Sequence, residues 1–134
     1  MYLLDTDTVI FSLKGHPVLM ENLRRHLNDP LQISIVTCLE LYYGAYKSKR
    51  ITGNLAKVKK IEETFEVIPV GTETAEIFGR LKAQLETKGT RLDDFDLLIA
   101  ACALTHNLIL VTNNEAHFHR IEGLKLTNWL KPAS

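Results

Sequence analysis

Short apolar runs alternate along this chain with longer stretches whose apolar residues return every three or four positions. The first kind reads as buried strand and the second as amphipathic helix. Tyr2 to Leu4 is such a run; the helical segment after it continues to Lys14 and stops at Gly15, and Pro17 opens a second helix striped by Val18, Leu19, Leu23 and Leu27. Gln32 to Ile35 predicts a second strand. Thr37 to Lys47 predicts a third helix, with Leu41, Tyr42 and Ala45 at helical spacing, and Leu55, Val58 and Ile61 mark a fourth. The β-branched stretch Phe65 to Val70 predicts a third strand. Ala75, Phe78, Leu81 and Leu85 stripe the helix that follows, which Thr87-Lys88-Gly89-Thr90 breaks. Asp93 to Leu104 predicts a strongly apolar helix, Leu108 to Thr112 a fully buried strand, and Leu124 to Thr127 a last short strand.

Strands separated by helices predict a mainly parallel central sheet flanked by helices, a three-layer α/β sandwich, because parallel neighbours need the crossovers that helices supply. Residues 1–134 are expected to form one domain, with no repeat, linker or low-complexity tract. In such folds the functional crevice lies beyond the carboxyl ends of the strands. Asp5 and the turn from Thr112 to Glu115 are expected there.

A composition of 46% hydrophobic and 24% charged residues with zero formal charge gives no global pull toward nucleic acid or membranes, so any such pull must be local. The longest apolar run, Leu97 to Leu104, falls far short of the roughly 18 residues of a membrane span. No basic region precedes an apolar segment at the N-terminus, and a cytoplasmic location is expected. Cys38 and Cys102 lie in apolar helical patterns without CxxC spacing, which points to small buried hydrophobes rather than a disulfide or zinc. Local charge is concentrated from Lys47 to Lys60, where Lys47, Lys49, Arg50, Lys57, Lys59 and Lys60 meet no acid. That stretch is either a solvated helical face or a phosphate track for RNA. Tyr42, Tyr43 and Tyr46 border it, as core, interface or base-stacking residues. Arg80 and Lys82 face the cleft or the solvent. His117-x-His119 lacks a third nitrogen or sulfur ligand at zinc-site spacing and reads as surface loop. Trp129 reads as a packing anchor for the last strand.

Three carboxylates stand in apolar company: Leu3-Leu4-Asp5, Cys38-Leu39-Glu40-Leu41 and Phe95-Asp96-Leu97-Leu98. No Lys or Arg lies within three residues of any of them, and an unpartnered buried charge costs several kcal/mol. Helix capping explains each acid taken singly: Thr37-x-x-Glu40 has the pattern of a capping box, Asp93-x-x-Asp96 a weaker version, and Asp5 a cap for the helix opening at Thr6. It does not explain why all three run into long apolar stretches. Convergence on one crevice does, and like charges gathered there would protonate unless a divalent cation lay among them. Oxygen ligands of this kind suit Mg²⁺ or Mn²⁺.

The segments LLDTD, ISIVTCLELYYGAYKS, DFDLLIAACAL and LILVTNNEAHFHRIEGL, in this order and spacing, resemble the PIN-domain ribonucleases, in particular the VapC-type toxins of bacterial toxin–antitoxin pairs. The resemblance covers almost the whole chain. It implies that Asp5, Glu40 and Asp96 are acidic metal ligands around one or two Mg²⁺ or Mn²⁺ ions. It further implies an endoribonuclease acting on tRNA or ribosomal RNA, a homodimer, and a VapB-like antitoxin whose tail occludes the cleft, with Lys47, Lys49, Arg50 and Arg80 as candidate RNA contacts. Two positions depart from the family's pattern. Where many members carry a fourth acid, this chain has Asn114, with Glu115 beside it; where Asn commonly follows the first acid by two residues, it has Asp7. Asn114, Glu115 and Asp7 are therefore further metal candidates, Asp7 leaning to an outer role.

Two other functions compete. LLDTDT also fits the hhDxDxT pattern of haloacid-dehalogenase-type phosphatases, in which Asp5 would be a nucleophile. That class needs a downstream Lys and a paired-acid motif directly after a buried strand, where this chain has Asn113-Asn114. The missing fourth acid also keeps open a catalytically inactive partner-binding PIN module.

Overall fold

The structure is a computed structural model and describes residues 1–133. In chain order, β1 (Tyr2–Leu4), α1 (Thr6–Leu13) and α2 (Pro17–Arg25) lead into β2 (Leu31–Ser34), α3 (Ile35–Lys47) and α4 (Ile51–Thr64). Then come β3 (Glu66–Ile68), α5 (Thr72–Thr87), α6 (Asp94–Thr105), β4 (Ile109–Val111), α7 (Glu115–Phe118) and β5 (Leu126–Thr127). The five described strands are all parallel, ordered β3-β2-β1-β4-β5, and Leu4 pairs with both Ile33 and Val111.

Because strand side chains alternate faces, adjacent residues of β1 enter different cores. Leu3 and Leu110 pack with Ile99, Ala103 and Phe118 under α5, α6 and α7. Leu4, Ile33 and Val111 pack with Val9, Leu41 and Val58 under α1 to α4. This is the three-layer sandwich with a parallel sheet. Gly15 and Gly89 take positive φ (70° and 69°) just past α1 and α5, the left-handed stop that a side chain would resist. Cys38 and Cys102 are buried free thiols. Among the described residues no helix is long and apolar enough to cross a membrane.

Several boundaries differ from the sequence expectation, each for a local reason. Ile35 belongs to a helix, not a strand, because the Ser34 hydroxyl caps α3 by accepting from the Val36 N–H at 3.1 Å. Thr37 and Glu40 therefore form no capping box; both sit inside the helix. Helix α2 ends at Arg25, leaving Leu27 outside it and 71% exposed. The segment containing exposed His117 and His119 is not all loop: α7 forms there, pinned by fully buried Phe118. Trp129 is buried, stacked on His26 at 4.4 Å and tilted against Tyr2 at 4.9 Å, so it ties the chain beyond β5 to the start of β1.

Candidate active site

The chain turns from β1 toward β2 on one side, and β4 flanks β1 on the other, so the crevice expected at such a reversal opens beyond the carboxyl end of β1. Asp5 is the first residue past that end. Its N–H donates to the Val111 carbonyl at 3.0 Å, and its Oδ1 accepts from the Thr8 N–H at 2.8 Å, capping α1. The side chain is almost wholly buried. Burial raises its pKa, and hydrogen bonds with Thr112 and Thr8 oppose the rise.

Glu40 comes from the second turn of α3. The Thr6 hydroxyl, one residue past Asp5, donates to Glu40 Oε1 at 2.7 Å and lies 3.0 Å from the Thr37 hydroxyl. Burial lifts the Glu40 pKa, Thr6 restrains it, and the negative charges of Asp93, Asp7 and Asp5 lift it further. Asp96 sits in the first turn of α6, which Asp93 caps by accepting from the Phe95 N–H at 3.1 Å. Its pKa is pushed up to about 6, first by burial and then by Asp93, Asp5, Glu40 and Asp7.

The acids named from the sequence are thus brought to one place from β1, α3 and α6, close enough to raise one another's proton affinity. Among the described residues none of the three has a Lys, Arg or His ion-pair partner. Nor do any three His, Cys, Asp or Glu side chains there form a finished ion-holding group as placed. The carboxylates are gathered without being closed into a ligand shell. An all-oxygen set bearing uncompensated charge fits Mg²⁺ or Mn²⁺, because a divalent cation offsets both burial and mutual repulsion.

The two departures from the family pattern meet in space. Asn114 Nδ2 donates to Asp7 Oδ2 at 3.2 Å, so carboxylate and amide stand paired with their expected places exchanged. Asp7 is exposed at the rim and adds to the charge felt by Asp5, Glu40 and Asp96. Glu115 Oε1 instead pairs with Lys131 Nζ at 3.4 Å. Sequence reasoning missed Asp93 as a charged member of the cluster, and the hydroxyls of Thr6 and Thr112 as the restraints on Glu40 and Asp5. A polar residue ending a fully buried strand, Thr112, was the available signal.

The candidate RNA contacts do not form one patch. Lys47 lies over the Tyr43 ring at 5.6 Å, and Lys49 and Arg50 are exposed in the turn between α3 and α4. Tyr42 is engaged inside that hairpin, its hydroxyl bonded to Glu62 and its ring under Lys59. Tyr43 and Tyr46, 67% and 63% exposed, continue an apolar stripe along α3 with Ile35 and Leu39. Lys82 reaches the start of α6, 3.0 Å from Asp94. Arg80 instead lines a separate cavity with Lys88 and Arg120. A groove of about 240 Å³, walled by Ile10, Leu13, Leu41, Ala45 and Val58, includes Glu40 in its lining.

Comparison with known proteins shows the family of the chain. Residues 2–124 match the PIN domain family model. The chain is 37% identical to the tRNA(fMet)-specific endonuclease VapC of Salmonella typhimurium, across 96% of this chain and 97% of that one. It is 36% identical to ribonuclease VapC2 of Rickettsia felis, across 98% and 99%. The crystal structure of VapBC2 from Rickettsia felis bound to a DNA fragment from their promoter superposes with a TM-score of 0.89 at 35% identity, across 96% of this chain and 98% of that one.

Proposed function

The chain belongs to the PIN-domain family and, within it, to the VapC ribonucleases, and from that premise we propose that it is a Mg²⁺- or Mn²⁺-dependent endoribonuclease, the toxin of a toxin–antitoxin pair. Its substrate is a cellular RNA such as tRNA or ribosomal RNA, and it works in the cytoplasm as a single catalytic domain. The observation that carries the reading is the meeting of Asp5, Glu40 and Asp96, all with raised proton affinity and, among the described residues, none with a basic partner.

Asp5, Glu40 and Asp96 would hold the ion, with Asp7 and its partner Asn114 standing in for the family's fourth acid. Bound there, the ion supplies Lewis acidity that brings a water's pKa toward neutrality and offsets charge on the leaving oxygen. The protein's own residues do the rest. Thr6 keeps Glu40 aimed into the crevice, the Thr8 N–H keeps Asp5 in its capping rotamer, and one carboxylate orients the attacking water as general base.

Two partner surfaces fit this role. The exposed α3 stripe of Ile35, Leu39, Tyr43 and Tyr46 supports a homodimer. The groove that Glu40 helps to line supports the seat of a VapB-like antitoxin segment whose tail covers the acids. The phosphatase alternative loses its ground, since β4 runs into Asn113 and Asn114 where that chemistry needs paired acids.

The test is cleavage of a tRNA pool by purified protein with Mn²⁺ or Mg²⁺ and with chelator. Metal-dependent cutting by wild type, lost in Asp5→Asn and Asp96→Asn with the circular dichroism unchanged, supports the assignment. No cutting by any of the three refutes it and leaves the inactive partner-binding module, and equal cutting by all three refutes the role given to Asp5 and Asp96.

A further inference from the structure

A second charged feature lies outside the acidic crevice. Arg80 on α5, Lys88 at its C-cap and Arg120 just past α7 line a cavity of about 250 Å³, joined by Gln84 and Glu122. Its floor is core: Leu81, Leu85 and Ile121 are all buried. Three cations against one acid leave a local excess of positive charge in a chain whose formal charge is zero. Among the described residues none of the three has a salt-bridge partner, whereas Lys82 and Arg91 nearby are both paired. Cations gathered in a concavity without counter-ions raise the local concentration of an anion.

The cavity is joined along the chain to the elements that carry the acidic crevice. The Arg120 guanidinium donates to the Arg91 carbonyl at 3.0 Å, in the loop that runs from Lys88 to Asp93, the cap of the helix carrying Asp96. Arg120 itself follows α7, which begins next to Asn114, the partner of Asp7. Without the ion, a polyanion entering a crevice lined by Asp5, Asp7, Glu40, Asp93 and Asp96 meets repulsion there, and phosphate contacts beside the acids offset it.

We propose that the Arg80, Lys88 and Arg120 cavity is an anion site that holds a backbone phosphate of the RNA away from the cut bond. It positions the strand without reading its sequence. The inference rests on RNA being the substrate, and its test separates the two. Binding of a short labelled single-stranded RNA is followed by fluorescence anisotropy in chelator, on an Asp96→Asn background that removes cutting. Arg80→Gln/Arg120→Gln should weaken binding about tenfold, and the salt slope of log K should shrink by about 0.7, the share of one neutralised phosphate on a single strand. Arg24→Gln/Arg25→Gln, an equal charge loss on α2, should leave both nearly unchanged; equal weakening by the two pairs means general charge and overturns the site. Lys88→Gln gives an independent single-site version. Unchanged affinity and slope in the cavity variants also overturn it, as does a shift in oligomeric state in place of RNA binding, which would make the cavity a protein contact. Inorganic phosphate at matched ionic strength should displace little RNA, and displacement at sub-millimolar phosphate marks a site for the free ion instead. Cavity-dependent binding by a wild type that never cuts would leave the anion site standing and remove the nuclease assignment.

Discussion

Replacing Asp96 by Asn should make the metal-free protein more stable, not less. The Asp96 carboxyl rises from 3.8 to about 6 on folding, so between those pH values the folded chain holds a proton that the unfolded chain has released. Stability then falls as pH rises through that window, and at neutral pH the ionised carboxylate is a standing cost. The full shift corresponds to about 3 kcal/mol at ~1.36 kcal/mol per unit. Asp96 is only half-buried, and solvent screening brings the expected figure to about 1–2 kcal/mol. For a domain of this size that is roughly 3–8 °C in Tm. Thermal melts of wild type and Asp96→Asn in chelator from pH 4 to 8 test it: the variant should melt higher at pH 7.5, and the gap should close toward pH 4. Saturating Mn²⁺ should then reverse the order, since an ion bound only to the folded wild type adds about 2.7 kcal/mol at a hundred times its Kd. A variant no more stable than wild type at pH 7.5, or a gap that ignores pH, refutes the account of a crowded, desolvated acid cluster.

Thr6→Val removes the donor to Glu40 and leaves the Thr37 hydroxyl without its neighbour; cleavage should drop by about 10–100-fold, as for lost supports of metal ligands, and melting should show a cost of about 1–3 kcal/mol. Asp7→Asn should lower metal affinity measured by calorimetry, and Asp7→Asn/Asn114→Asp should restore it, because the exchanged pair is rebuilt in the other order. Leu39→Glu/Tyr43→Glu should keep the far-UV circular dichroism of wild type, both side chains being exposed, yet yield monomers in sedimentation and a melt that no longer depends on protein concentration. Ile99→Ala, buried in the α6 core, should cost about 2–5 kcal/mol in urea unfolding.

What could be read from the sequence was what adjacent residues decide. Asp5 and Asp93 as helix caps, the two buried cysteines and the strand at β4 all follow from neighbours within a few positions. The boundary of α3 was misplaced because Ser34, at the end of an apolar strand, outcompetes the Thr37-x-x-Glu40 pattern for the cap. The pairing of Asp7 with Asn114 spans 107 positions and has no local signature. Arg80 shows the same limit from the other side: its cavity is made by Arg120, brought there by a short helix that only the burial of Phe118 explains.

The Thr6 hydroxyl, shared between Thr37 and Glu40, has a consequence for anyone rebuilding this centre elsewhere. A transplant of three acidic side chains alone would carry over their charge but lose the aim of one of them. The minimal portable unit spans α1, α3 and α6 and includes an uncharged residue that no inventory of acids would select.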